Sequence, residues 1–140
     1  MLIILTAIVL AVLAAAAAYW IVTRPALKAV FATVEPGYAV GESVRFSLRN
    51  EGEITVTLPS SAPWSIERDV DGNWRSVETH YSAGMQVYVG RGETVSWSWK
   101  AESQQYPGLF PVEPAEYRIR LSLVGESPTM IELVCTFTLV

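Results

Sequence analysis

Residues 112–123 read Val-Glu-Pro-Ala-Glu-Tyr-Arg-Ile-Arg-Leu-Ser-Leu, and they set Tyr117, Ile119, Leu121 and Leu123 against Glu116, Arg118, Arg120 and Ser122. A strict period of two marks a strand with one buried face, because successive side chains of a pleated strand point to opposite sides. A helical face would also need apolar residues three apart, and three positions after Tyr117 and Ile119 stand Arg120 and Ser122. The chain here is extended, with Tyr117 leading its buried face.

The same period recurs on both sides. Upstream, Leu27 to Val34 reads as a strand stopped by Glu35-Pro36-Gly37, and Ser43 to Arg49 alternates Val44, Phe46 and Leu48 with polar residues before the turn Asn50-Glu51-Gly52. Ile54, Val56 and Leu58 form a further apolar face. Pro63 to Val70 and Asn73 to Glu78 flank Asp71-Gly72, a strong two-residue hairpin signal. Met85 to Val89 and Thr94 to Lys100 are separated by Gly90-Arg91-Gly92-Glu93, and Val95, Trp97 and Trp99 share a face that predicts burial. Downstream of residue 123, Ile131, Leu133, Cys135, Phe137 and Leu139 make the last face. Eight or nine short strands with turns every 8–12 residues predict an all-β sandwich or barrel over 27–140, with almost no helix. The spacing Val112-x-Pro114-Ala115-x-Tyr117 also matches the tyrosine corner of Greek-key sandwiches, in which the hydroxyl bonds back to the preceding corner. Tyr117 is therefore expected to be structural.

The N-terminus follows a different rule. From Met1 to Val22 there is no charged residue, and all ten Lys+Arg and fourteen Asp+Glu come later in the 140-residue chain. As a helix, twenty-two residues would span roughly 33 Å, enough for a hydrocarbon core. A cleavable signal would carry a basic n-region and a small-x-small cleavage site. This stretch has no basic n-region and ends in bulky Tyr19-Trp20-Ile21-Val22, so retention is expected. The predicted organisation is a hydrophobic helix over 1–23, a linker over 24–26 and the β-domain from 27. Ala7, Ala11 and Ala15 fall four apart with Ala14 and Ala18 beside them, a spacing that lets helices pack closely. Arg24 and Lys28 follow the span, and the positive-inside tendency argues against an outward β-domain.

The order of motifs resembles bacterial and archaeal membrane-anchored immunoglobulin-like domains. The resemblance lies in VEPGYAVGESVRFSLRNEG (34–52), WSIERDVDGNWRSV (64–77), RGETVSWSWK (91–100) and PAEYRIRLSL (114–123). A related intracellular protease-inhibitor family shares this layout, and the Cys…Trp…Cys core of antibody domains is absent. A hydrophobic helix leading into such a domain is also similar to archaeal type IV pilins and archaeal flagellins, whose helices form a filament core. The resemblance implies an immunoglobulin-like Greek-key β-sandwich behind one N-terminal α-helix, exposed at a cell membrane or cell surface.

Chemistry is sparse. The net charge of −4 argues against a nucleic-acid partner. One cysteine excludes an internal disulfide, and Cys135 sits on an apolar face where burial is expected. The single histidine, His80, has no partner visible in the sequence, and no G-x-S-x-G nucleophile motif occurs. Asp69, Asp71 and Asn73 imitate the opening of a calcium loop but lack its Gly and terminal Glu, so a hairpin turn explains them. No catalytic residue, cofactor, metal or small-molecule substrate is expected. The partners expected are copies of the chain or other membrane proteins, reached through Ala7, Ala11, Ala14, Ala15 and Ala18. Trp64 and Trp74 are candidates for a pair across the 71–72 hairpin, and the loop 104–111 offers Tyr106, Leu109 and Phe110 for contact with a partner. Function is accordingly expected to be a non-enzymatic structural or adhesive subunit of a filament. The alternatives are a single-pass protein-binding module and a protease inhibitor acting through an exposed loop.

Overall fold

A computed structural model describes residues 27–80, 84–104, 106–125 and 129–140. Ten strands occur among them: β1 (Ala29–Thr33), β2 (Gly37–Tyr38), β3 (Ser43–Asn50), β4 (Val56–Leu58), β5 (Trp64–Val70), β6 (Asn73–Glu78), β7 (Val87–Val89), β8 (Thr94–Lys100), β9 (Ala115–Val124) and β10 (Met130–Leu139). They form a three-stranded sheet β1-β3-β8, a five-stranded sheet β2-β10-β9-β5-β6 and a two-stranded sheet β4-β7.

The alternation explains the layering. In β3, Val44, Phe46 and Leu48 are fully buried while Arg45 and Arg49 are exposed, and in β9 Tyr117, Ile119, Leu121 and Leu123 are buried. These two faces meet. Phe46 of β3 abuts Trp64 of β5 with ring centroids 5.0 Å apart, and Trp99 of β8 reaches Tyr117 of β9 at 6.2 Å and Phe137 of β10 at 6.4 Å. The Phe46–Trp64 and Trp99–Phe137 pairs are edge-to-face, which suits the aromatic quadrupole and adds to the area buried. At the hairpin, Asp71 (φ 52°) and Gly72 (φ 84°) take the left-handed conformations of a tight two-residue turn, and Asp69 Oδ1 accepts from Gly72 N at 2.8 Å.

The all-β class holds, but the fuller expectation of an immunoglobulin-like Greek-key β-sandwich preceded by a helix is corrected. The described residues contain strands and no helix, and the strands divide into sheets of three, five and two, of which the five-stranded one is mixed. The cause is local. Pro36 and the small Gly37 carry the chain out of the first sheet, and β2 then runs parallel to the end of β10, pairing Gly37 with Thr138 and Tyr38 with Leu139. Those two residues show no periodicity, so the sequence displays only a turn there. The helix expected over 1–23, with Ala7, Ala11, Ala14, Ala15 and Ala18, lies outside the described residues. No helix among the described residues is long and apolar enough to cross a membrane.

Candidate functional site

β6 and β8 are edge strands of the two large sheets, and the seam between them holds the most chemically distinctive cluster. A bulge creates it. β6 pairs with β5 in register Glu67↔Ser76 and then Ile66↔Glu78, so Val77 is an extra residue in β6. Simple alternation would keep Glu78 on the outer face with Trp74 and Ser76. The bulge instead turns Glu78 inward opposite the fully buried Ile66, and both Val77 and Glu78 are buried.

The Glu78 carboxylate is 6% exposed and spans the seam: its Oε2 accepts from Trp99 Nε1 of β8 at 3.3 Å. Its Oε1 lies 3.8 Å from His80 Nε2. The His80 ring meets Trp64 at a centroid distance of 4.1 Å, and Trp64 Nε1 is buried without a hydrogen-bond partner among the described residues. A groove of about 740 Å³ opens beside this cluster, lined by Ser76, Glu78, His80, Gln104, Tyr106 and Leu109 among others. A smaller cavity of about 290 Å³ lies on the Trp64–Trp99 side. The larger volume is within the range of ligand-binding clefts.

The loop bordering the groove is fastened to the edge of β6. Phe110 N donates to Ser76 O at 2.8 Å, and Leu109 N to Tyr106 O at 3.2 Å. Two guanidinium groups stand over the Phe110 ring, Arg68 at 6.0 Å and Arg75 at 5.7 Å from its centroid. Arg68 Nη1 also donates to Pro111 O at 2.9 Å and contacts Glu113 at 3.1 Å. Of the three residues expected at a contact surface, Leu109 and Phe110 are thus half-buried in anchoring the loop, and Tyr106 stands 67% exposed beside the groove. Tyr117 lies at a corner: its hydroxyl donates to Glu113 O at 2.7 Å and accepts from Glu113 N at 3.1 Å. Burial raises the Tyr117 pKa, the backbone bond at Glu113 opposing the shift.

Trp64 and Trp74 do not pair across the hairpin. Trp64 points into the core opposite Leu121 of β9, and Trp74 lies on the outer face with the Arg118 guanidinium 4.5 Å above its ring. On that face Glu67 accepts from Arg118 Nε at 2.9 Å and contacts Arg120 at 3.5 Å, and Arg120 also grips Glu132 at 2.6 Å. Hydrogen bonding within the Arg120–Glu132 pair raises the first group's pKa and lowers the second's. Glu67 and Glu78 are the two buried carboxylates among the described residues, and only Glu67 has an arginine.

Cys135 is half-buried beneath β1, and desolvation pushes its thiol up to about 11, against hydrogen bonds with the backbone of Thr33 and Ile119. At pH 8 only about one thiol in a thousand would then be ionised, and the thiolate is the nucleophile. We expect an aromatic disulfide reagent to label the folded chain far more slowly than the urea-unfolded chain. Equal rates would show that the thiol is open. Asp69, Asp71 and Asn73 form the hairpin already described, and no group of three or more potential metal ligands is assembled among the described residues.

No family model and no curated protein matches this chain. Among solved structures, a β-glucosidase from Erythrobacter marinus aligns over 83% of this chain and 16% of its own, at 20% identity and a TM-score of 0.46. A Listeria innocua β-glucosidase solved with isofagomine aligns over 82% of this chain and 16% of its own, at 18% identity and a TM-score of 0.46. The chain therefore spans about a sixth of the length of these enzymes, and likeness at this level transfers neither a fold assignment nor an activity.

Proposed function

We propose that the chain is a non-enzymatic binding subunit held at a membrane or cell surface, with the β6–β8 seam and Tyr106 as its contact surface. The observation that carries this reading is the fastened loop 106–111. Its ordering is fixed in advance by the Phe110–Ser76 bond and the Arg68 contacts, which lowers the entropy lost when a partner docks. Exposed tyrosine beside a groove is the side-chain type that anchors protein contacts, with a large rigid ring and a polar tip. The charge-free residues 1–22 supply the attachment, since their length suits a hydrocarbon core.

Two experiments test the two halves. The full-length chain should sediment with membranes or as assemblies, and a chain starting at Leu27 should stay in the supernatant; equal distribution overturns the attachment. A photo-reactive phenylalanine in place of Tyr106, in the expressing cells, should give a discrete cross-linked species that the same probe at Arg91 does not give. The same product from both positions, or none at 106, overturns the contact surface. A filament subunit is a second reading, favoured by the four-residue spacing of Ala7, Ala11 and Ala15. Regular filaments of the full-length chain under negative stain would establish it.

A further inference from the structure

We propose that Glu78 receives an arginine side chain of the protein partner, entering the seam past Tyr106; this rests on the binding reading above. The argument starts from the contrast between the two buried carboxylates. A buried carboxylate is destabilising unless charge or hydrogen bonds compensate it. Glu67 meets this condition with Arg118 and Arg120. Glu78 is as deeply buried, and among the described residues it has one indole N–H at 3.3 Å on Oε2, with His80 Nε2 standing 3.8 Å from Oε1. No arginine or lysine among the described residues pairs with it, and the side chain lines both the 740 Å³ groove and the 290 Å³ cavity.

The groove selects the sign and shape of its occupant. Among the described residues, the fixed cation nearest the smaller cavity, Lys100, is 2.8 Å from Glu102 and so already engaged. Among the described residues, then, Glu78 faces His80 but no lysine or arginine, which disfavours phosphates and carboxylates. A guanidinium suits the remaining geometry. It is planar, always charged and rich in donors, so it can bond to Oε1 while stacking on the Tyr106 ring at the rim. Gln104, on the same wall, offers a side-chain carbonyl for a further donor. The Val77 bulge supports the assignment, since an extra residue that re-aims one side chain is a recurring device beside functional sites.

The test uses the full-length chain in detergent micelles with two probes, N-acetyl-arginine amide and its neutral isostere N-acetyl-citrulline amide. The readout is the indole N–H resonance of Trp99, assigned with Trp99→Phe. The arginine probe should shift that resonance saturably, with affinity at least about tenfold higher than the citrulline probe, and Glu78→Gln should lose that advantage. Equal affinity for the two probes, or no saturable shift, overturns the proposal. If Glu78→Gln does not fold, the arginine–citrulline comparison on the native chain still decides. The two readings fail separately. A failed titration with cross-linking at position 106 intact rejects the arginine site alone, and a successful titration with no cross-link rejects Tyr106 as the contact.

Discussion

Phe46→Ala is expected to destabilise the domain by about 3–5 kcal/mol, the usual penalty for deleting a fully buried aromatic. Phe46 has no exposed surface, and its ring meets Phe31 at 6.1 Å, Trp64 at 5.0 Å and Trp97 at 5.7 Å. It is the point where β1, β3, β5 and β8 come together. The hole left by the ring would be lined by three other rings too rigid to collapse into it, so little of the loss would be recovered by relaxation. Small domains are stable by only about 5–15 kcal/mol, so the variant would sit near its unfolding midpoint at modest denaturant. Urea unfolding followed by tryptophan fluorescence measures this directly. Phe46→Leu should recover most of the loss, and a shift below about 1 kcal/mol for Phe46→Ala would contradict the packing described.

Asn50→Ala should cost about 2–4 kcal/mol for a different reason, the stranding of buried polar groups. Asn50 is fully buried at the end of β3, and Nδ2 donates to Ile54 O at 2.8 Å and to Val89 O at 2.9 Å. Its Oδ1 accepts from Gly52 N at 3.0 Å, while its backbone N donates to Glu93 O and its carbonyl accepts from Gly92 N. One side chain thus joins the three-stranded sheet to the β4–β7 pair, and removing it leaves two carbonyls and an amide without partners. Asn50→Asp should be no better than alanine at neutral pH, because it sets carboxylate oxygens against those two carbonyls. An Asp variant as stable as the native chain in the same urea titration would refute this account.

The sequence discloses the parts of this fold that depend on alternation and fails where one residue acts against it. β8 was expected at Thr94–Lys100 and lies there, and the Asp71-Gly72 hairpin connects β5 and β6 as its dipeptide predicts. Met85 and Ile54 were expected inside strands, yet Met85 is 89% exposed and Ile54 41%, because β7 and β4 are three-residue strands that begin later. Asn50 announces a turn, but nothing in its neighbourhood tells that its amide reaches Val89, thirty-nine positions away. Glu78 is the clearest omission. Period-two reading puts it outside with Trp74, and only the extra residue Val77, a property of pairing with β5, brings it inward. The signal available beforehand was the juxtaposition of Val77 and Glu78 at a strand end next to the chain's single histidine.

The parallel join between β2 and β10 also bears on how the chain acquires its structure. Tyr38 waits for Leu139, roughly a hundred positions later, and such high contact order slows folding toward the millisecond-to-second range. During synthesis β9 and β2 would emerge with open margins until β10 leaves the ribosome and covers both. That interval adds exposed strand margins by which one nascent chain can capture another, so translation carries a risk of misassembly beyond that of the edges that remain in the finished sheets.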